Sequence, residues 1–273
     1  MSTGVTLAGF YRVVHVELKD MLSSIEKSHY QNEIALWSLS GAGFAVNVDS
    51  KIIYIDPYLN MPEEPNKRRT PVPFPPENVS KADYVVVSHE HSDHCDPRTL
   101  KAFSRNTSAV FIGPRSAVSK ALEAGFTPNR VREMAPGSVY DAGGLRFMAF
   151  EALDYYAESA SIFLIQTPSG NLLHSGDSLY TPTFKAVGDK FKVDISLLDY
   201  GKQLNMEKQY YMDARAVAKA AKDLRTRILV PMHWDIFWER YEDPKQILEY
   251  LKSKAPECEL VVLQQGDQLI YTG

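Results

Sequence analysis

The stretch that decides the fold is Ser88-His89-Glu90-His91-Ser92-Asp93-His94-Cys95-Asp96. It follows Tyr84–Val87, a continuous apolar run that predicts a strand covered on both faces. A loop at the carboxyl end of such a strand can direct several side chains to one point. Neutral imidazoles and carboxylates are the ligands that borderline divalent cations such as Zn²⁺ prefer. Because the strand precedes it, the pattern H-x-H-x-D-H predicts metal ligands rather than a histidine-rich surface turn, and these ligands are His89, His91, Asp93 and His94.

Two residues further along the chain would complete such a site. Asp177 follows the predicted strand Asn171–Leu173, and His233 follows Ile228–Val230 in the same way. Alone, Asp177 would be an ordinary turn aspartate, and His233 would be a structural histidine. Because both lie at strand ends, as the first cluster does, we predict that both are ligands.

These residues are expected to form two metal positions that share the carboxylate of Asp177. The first ligand set is His89, His91 and Asp177. The second ligand set is Asp93, His94 and His233. Asp93 is also the predicted catalytic residue, because its carboxylate can accept the proton of an attacking water. A serine nucleophile is not needed for this chemistry, and no G-x-S-x-G pattern occurs in the sequence.

Three further residues near these motifs have other expected roles. Asp56, after the strand Ile52–Ile55, either orients a ligand histidine from behind or simply ends the strand in a turn. His174 precedes the Gly-Asp turn inside a strand and is expected to pack or hydrogen-bond near the site rather than bind metal. Cys95 is expected to be a small buried residue behind the ligand loop, not a nucleophile.

Composition excludes several classes of protein. The 273 residues, of which 44% are hydrophobic, are enough to bury one large core. A net charge of −4 weighs against a dedicated nucleic-acid binder, and two cysteines are too few for a disulfide scaffold. The N-terminal segment lacks the pattern of a signal peptide, and no apolar run approaches the ~20 residues of a membrane span. We expect a cytoplasmic globular protein with no nucleic-acid or membrane partner.

The rest of the chain predicts layered α/β structure. An amphipathic helix is expected over Tyr11–Tyr30, followed by a β-hairpin that is entered through Ser40–Gly43 and turns near Asp49. Met61–Asn78 is rich in proline and charge and predicts a long surface loop. Strands then alternate with helices, and two last strands, Leu260–Leu263 and Leu269–Tyr271, are expected to pair. Two sets of strands, each accompanied by helices, favour a layered sandwich over a barrel.

The motifs together resemble those of a known family. H-x-H-x-D-H, then Gly176-Asp177 after a strand and Pro231-Met232-His233 after a later strand, is similar to the metallo-β-lactamase superfamily. Within it, the chain resembles most the L-ascorbate-6-phosphate lactonase family, and the further shared features are Ser40–Gly43, Arg69–Pro71, Phe111–Pro114, Pro136–Ser138, Ala152–Asp154, Tyr200-Gly201 and His233–Ile236. The resemblance implies a four-layer αββα sandwich with the metal site at one edge, between the two sheets.

The amphipathic N-terminal segment also predicts a division of the chain. Residues 1–32 would form an N-terminal helical arm, and residues 33–273 would form a metallo-β-lactamase-like hydrolase domain. The arm either caps the core or joins two subunits, and a homo-oligomer is expected.

One motif departs from the superfamily pattern. Most members have a third-motif histidine after the strand that is Leu145–Phe150 here, but this chain has Ala152-Leu153-Asp154 and no histidine between His94 and His174. Either Asp154 replaces the missing ligand, or one metal position is weak or empty, or Asp154 is only a loop carboxylate. One or two divalent ions, Mn²⁺ or Zn²⁺, are therefore expected.

The expected activity is hydrolysis by metal-activated water. The resemblance implies a lactonase or related ester hydrolase acting on a small, anionic phosphorylated sugar acid such as L-ascorbate 6-phosphate. One alternative is a phosphodiesterase or ribonuclease of the same superfamily, which the acidic net charge and the lack of a basic tract disfavour. A second alternative is a non-catalytic metal-binding sensor.

Candidate substrate contacts follow from charge and aromatic character. Lys67-Arg68-Arg69 is a run of three cations in the proline-rich loop, and Arg69 belongs to a stretch shared with the lactonase family. Lys202 is a further candidate for binding an anionic group. Trp234 either lines a pocket or packs in the core.

Overall fold

A computed structural model describes residues 5–7, 9–61 and 67–273. The helices are α1 (Leu18–Lys27), α2 (Pro97–Asn106), α3 (Arg115–Glu123), α4 (Thr183–Lys190), α5 (Ala214–Leu224) and α6 (Ile247–Lys254). The strands are β1 (Val5–Leu7), β2 (Tyr11–His15), β3 (Ile34–Ser40), β4 (Gly43–Val48), β5 (Lys51–Ile55), β6 (Tyr84–Val86), β7 (Val110–Gly113), β8 (Val131–Glu133), β9 (Val139–Ala142), β10 (Leu145–Glu151), β11 (Ser161–Thr167), β12 (Gly170–His174), β13 (Ile195–Asp199), β14 (Ile228–Met232), β15 (Glu259–Leu260) and β16 (Asp267–Tyr271).

The strands of the described residues form two sheets. The first has the order β1-β2-β16-β3-β4-β5-β6-β7-β8, and the second has the order β15-β14-β13-β12-β11-β10-β9. In the first sheet, β5 to β8 are parallel. In the second sheet, β12 to β15 are parallel. Each sheet is therefore antiparallel on one side and parallel on the other.

The two sheets and the two groups of helices form four layers, and an apolar core fills each of the three spaces between them. The two sheets pack face to face through residues such as Phe44 and Phe147. Helices α1, α2 and α3 cover the outer face of the first sheet, where Phe103 packs in a common cluster with Trp37. Helices α4, α5 and α6 cover the second sheet, with Phe184 in their shared core. The predicted αββα sandwich is confirmed.

The N-terminal segment differs in part from its prediction. The helix expected over Tyr11–Tyr30 is present only as α1, and Tyr11–His15 forms the strand β2 instead. This strand pairs with β16 over its whole length, so the sheet satisfies its backbone groups, and Tyr11 is buried between the two sheets. Two adjacent β-branched residues, Val13 and Val14, also favour a strand. The apolar spacing alone did not reveal where the strand ends and the helix begins.

The predicted hairpin is confirmed as β4 and β5. Its two-residue turn is Asp49-Ser50, with φ values of 48° and 62°. Left-handed conformation at both central residues matches the right-handed twist of the two strands. The strand β3 precedes the hairpin and pairs with β4, so the Gly41-Ala42 connection brings this segment back beside β3.

The prediction of a closing strand pair is wrong. Glu259–Leu260 lies at the edge of the second sheet beside β14, whereas β16 lies in the first sheet between β2 and β3. The connection between them crosses from one sheet to the other.

The carboxyl ends of the parallel strands place the polar loops together. Contacts join the loops after β5 and β6 of the first sheet to the loops after β12 and β14 of the second. The predicted surface loop Met61–Asn78 is described only outside residues 62–66, and it ends in a short 3₁₀ turn at Pro76–Asn78. Of the helices in the described part of the chain, none has the length and apolar character to cross a bilayer.

Candidate metal centre

The loop that carries the first motif is fixed at both ends. Before it, the Val87 amide donates to the carbonyl of Ile112 in the neighbouring strand. After it, Asp96 caps α2, accepting from the Thr99 amide at 2.7 Å. Cys95 is fully buried behind the loop, as predicted, and burial raises the pKa of its thiol to about 12. The loop is therefore a rigid support for the side chains between Val87 and Asp96.

The first predicted ligand set comes together. One ligand atom from each of His89, His91 and Asp177 lies within 4.8 Å of the other two. The Nε2 atom of His89 is 3.0 Å from Nδ1 of His91 and 3.8 Å from Oδ2 of Asp177. Nε2 of His91 also lies 3.2 Å from the carbonyl oxygen of Tyr156.

The second predicted set lies next to the first. One ligand atom from each of Asp93, His94 and His233 lies within 4.8 Å of the others. Oδ1 of Asp177 is 3.2 Å from Nε2 of His94 and 3.8 Å from Nε2 of His233. The two oxygens of Asp177 thus face different sets, which is the position predicted for a bridging carboxylate.

Several buried polar atoms at this point have no hydrogen-bond partner. They are His94 Nε2, both oxygens of Asp177, both ring nitrogens of His233, Asp154 Oδ2 and Asp199 Oδ1. Leaving a buried polar atom unsatisfied costs about 1–3 kcal/mol, so a group of them at one point needs a physical explanation. Imidazole nitrogens and carboxylate oxygens are a donor set that fits a divalent ion such as Zn²⁺ or Mn²⁺. We conclude that the residues present fit a divalent metal.

Asp56 holds the second set in place. Its Oδ2 lies 2.8 Å from Nδ1 of His94, and the amide of Ser88 donates to its Oδ1 at 2.7 Å. A proton on Nδ1 leaves Nε2 of His94 free to face Asp177. Of the two predicted roles of Asp56, the structure therefore supports the orienting one. Asp56 and His233 both have left-handed backbone, with φ values of 42° and 73°, a strained conformation often found at functional sites.

The charge states also suit metal binding. Burial lowers the pKa of His89 to about 3, and the nearby His94 acts in the same direction. Burial would raise the pKa of Asp177, but the imidazoles of His233 and His94 hold it well below its usual range. Burial likewise opposes the ionised form of Asp93, and the nearby imidazole of His233, 3.4 Å from Oδ2, lowers its pKa nonetheless. At neutral pH His89 is neutral and the two carboxylates are ionised, the forms that bind cations.

His174 is buried beside the cluster, but its ring nitrogens are occupied. Its Nε2 lies 2.9 Å from the carbonyl oxygen of Ala42, and the Gly176 amide donates to its Nδ1 at 3.1 Å. These contacts agree with the predicted packing and hydrogen-bonding role.

Asp154 reaches the first ligand set. Its Oδ1 accepts from the amides of Tyr156 and Ala157, at 2.8 and 3.2 Å. Its Oδ2 has no partner and lies 4.0 Å from Nε2 of His89. The loop thus fixes one oxygen and directs the other at the cluster, where the missing third-motif histidine would be expected.

Sequence reasoning missed Asp199. This residue ends β13, between the strands that carry Asp177 and His233, and one ligand atom of each of these three residues lies within 4.8 Å of the others. Burial and the charge of Asp177 raise the pKa of Asp199 well above its usual range. The available signal was a carboxylate directly at the end of a buried strand, the same signal that identified Asp177.

The predicted substrate contacts lie elsewhere. The guanidinium of Arg69 is 4.3 Å from the ring centre of Tyr241, and Arg69 lines a cavity of about 310 Å³ together with Trp234. Lys202 is exposed. Arg68 is buried and donates to backbone carbonyls, including that of Tyr58 at 3.2 Å. None of the contacts described for Arg69 or Lys202 joins a metal-ligand side chain, so their predicted roles stay predictions.

Comparison with known proteins places this geometry in a family. A model described as "Beta-lactamase superfamily domain" matches residues 51–234, which include all six predicted ligands. Probable L-ascorbate-6-phosphate lactonases of Salmonella paratyphi B and Salmonella newport are 28% identical over an alignment of 205 residues, and the match covers 67% of this chain. The chain spans only 58% of the length of these relatives.

Two solved structures share the fold. A metallo hydrolase from the archaeon Ignicoccus hospitalis has a TM-score of 0.70 at 23% identity, covering 88% of this chain and 98% of its own. An isothiocyanate hydrolase from Delia radicum gut bacteria has a TM-score of 0.71 at 15% identity, covering 86% and 97%. Since the family model matches well over half of the chain, the protein belongs to the β-lactamase superfamily.

Proposed function

We propose that the protein hydrolyses a lactone or related ester bond in a small phosphorylated sugar acid of the class of L-ascorbate 6-phosphate. The observation that carries the hydrolytic part is the group of buried nitrogen and oxygen atoms without partners around Asp177. The substrate class rests on the similarity to relatives whose names describe them as probable L-ascorbate-6-phosphate lactonases.

Six residues of the site would bind metal, and one of them would also transfer a proton. His89, His91 and Asp177 would hold one ion, and the remaining ligands, Asp93, His94 and His233, would hold a second. A divalent ion at such a site lowers the pKa of water from ~15.7 toward ~7 and polarises a carbonyl oxygen. Asp93 would accept a proton through Oδ2, which lies 3.4 Å from Nε2 of His233.

The supporting shell keeps these groups oriented. Asp56 accepts hydrogen bonds from Nδ1 of His94 and from the amide and hydroxyl of Ser88, so the imidazole of His94 cannot rotate freely. Asp154 would supply the oxygen that replaces the third-motif histidine. Asp93 is the more accessible acid, with 15% of its side chain exposed against 4% for Asp177. Water and substrate can therefore reach Asp93 more readily than the bridging carboxylate.

A panel of substrates tests this function. Protein loaded with Mn²⁺ or Zn²⁺ should hydrolyse L-ascorbate 6-phosphate faster than unphosphorylated ascorbate, and faster than bis-p-nitrophenyl phosphate or a short RNA. Asp177→Ala protein, prepared in parallel, should be inactive and so excludes a contaminating hydrolase. Cleavage of RNA without turnover of any lactone would replace this proposal with the nuclease alternative. Metal binding without hydrolysis of any compound would favour the sensor.

A further inference from the structure

Arg240 is a half-buried cation beside the proposed metal centre. It ends the 3₁₀ turn Trp238–Arg240 in the segment after β14. Only 19% of its side chain is exposed, and its Nη1 lies 3.8 Å from Oδ2 of Asp93. Sequence reasoning did not identify it, because nothing in the spacing shows that this segment folds back over the site.

The guanidinium is held by aromatic side chains. Nη1 donates to the hydroxyl of Tyr211 at 2.5 Å, and the carbon of the guanidinium lies 5.1 Å from the ring centres of both Tyr210 and Phe237. The backbone is fixed as well, since the carbonyl of Arg240 accepts from the Lys202 amide at 3.0 Å. The cation is therefore oriented before any ligand arrives.

The hydrogen-bonding capacity of this side chain is largely unused. A guanidinium has five N–H donors, and among the described residues only the Tyr211 hydroxyl accepts from this one. Its Nε is buried without a hydrogen-bond partner; the nearest carboxylate oxygen, from Glu239, is 3.9 Å away. The Asp93 contact, at 3.8 Å, is also too long for a hydrogen bond. Buried, unmatched donors favour the entry of an acceptor group.

Charge points to an anion as that acceptor. The carboxylate of Asp93, 3.8 Å from Nη1, is the closest negative charge to Arg240. In the proposed function, however, the oxygens of Asp93 would bind a metal ion. The positive charge of Arg240 would then have no hydrogen-bonded counterion. Guanidinium groups bind carboxylates and phosphates through two parallel hydrogen bonds, which a lysine cannot reproduce.

We propose that Arg240 binds the anionic group of the substrate, a phosphate or carboxylate, next to the bond that is hydrolysed. The inference rests on the proposed function and deepens it, because it assigns a specificity-determining residue to the same site. Arg69 is the competing candidate from the sequence. Its guanidinium stacks on Tyr241 and Trp238, at 4.3 and 5.5 Å, and lines a cavity whose lining does not include Arg240.

The test combines binding and kinetics on metal-loaded protein. Inorganic phosphate and acetate are titrated into wild type, Arg240→Met and Arg240→Lys, with Arg105→Met as an exposed arginine control. We expect Arg240→Met to weaken binding of at least one anion about tenfold or more, since hydrogen bonds between a guanidinium and an anion are among the strong, charge-assisted ones. Arg240→Lys should lose less, and the anion that is more affected identifies the preferred group. Circular dichroism and metal content should match wild type.

Kinetics give an independent readout. For L-ascorbate 6-phosphate, Arg240→Met should raise KM about tenfold or more with little change in kcat, and turnover of the unphosphorylated analogue should change little. Unchanged anion binding in both folded Arg240 variants overturns the assignment, as does the same selective loss in Arg69→Met with none at Arg240. If wild type binds anions through Arg240 but hydrolyses no ester, the proposed function fails while the anion site stands.

Discussion

Replacing Asp177 or His233 by Ala is expected to remove bound metal and hydrolysis together. Asp177 lies between both ligand sets, with Oδ2 3.8 Å from His89 and Oδ1 3.2 Å from His94, so each metal position would lose an oxygen. Residues that only orient ligands already change metal affinity by about 10–100-fold, and a shared ligand should cost more than about a hundredfold in kcat/KM. Elemental analysis after dialysis and steady-state kinetics measure both losses.

Matched controls separate this effect from general damage. His15→Ala removes an exposed histidine that contacts Asp267, and Asp189→Ala removes an exposed aspartate on α4. Both variants should keep wild-type metal content and activity. A folded His233→Ala protein with full metal content and full activity would show that the ligand assignment is wrong.

Asp93→Asn is expected to lower kcat by about 10²–10⁴-fold, the usual contribution of a general base. The amide keeps the shape of the side chain but cannot accept a proton. The ligand set of His89, His91 and Asp177 does not include Asp93, so one ion should remain bound. The measurement is kcat at saturating substrate over a range of added metal, with metal content determined on the same samples.

Excess metal distinguishes the two roles of Asp93. If added Mn²⁺ or Zn²⁺ returns kcat of Asp93→Asn to the wild-type value, Asp93 acts only as a ligand. A kcat that stays low with the metal positions filled supports proton acceptance.

Much of the metal centre was predictable because it follows one simple rule. Asp177 and His233 each lie in the loop that follows a short buried apolar run, and the carboxyl ends of neighbouring parallel strands meet at one edge of a sheet. Asp199 obeys the same rule and directly precedes the shared pair Tyr200-Gly201, but it lies outside the histidine and aspartate motifs that identified the other ligands. Arg240 could not be predicted, since its place depends on how the segment after β14 folds against Tyr211.

Predictions failed where local pattern and long-range pairing compete. The residues Val14 and Leu18 fit one helical face, yet pairing with β16 makes Tyr11–His15 a strand. Long-range contacts likewise decide that β15 and β16 belong to different sheets. Two apolar runs close in sequence have the same local pattern whether or not they pair with each other.

The central claim is that Asp177 would hold metal where the two ligand sets meet, and anomalous X-ray scattering from crystals of metal-loaded, active protein tests it most directly. At the zinc or manganese absorption edge, we expect at least one strong peak within about 2.0–2.6 Å of an Asp177 oxygen. A second peak near His89, within reach of Asp154 Oδ2, would show that Asp154 replaces the missing histidine. Active, metal-loaded crystals with no anomalous peak beside Asp177 would contradict the account.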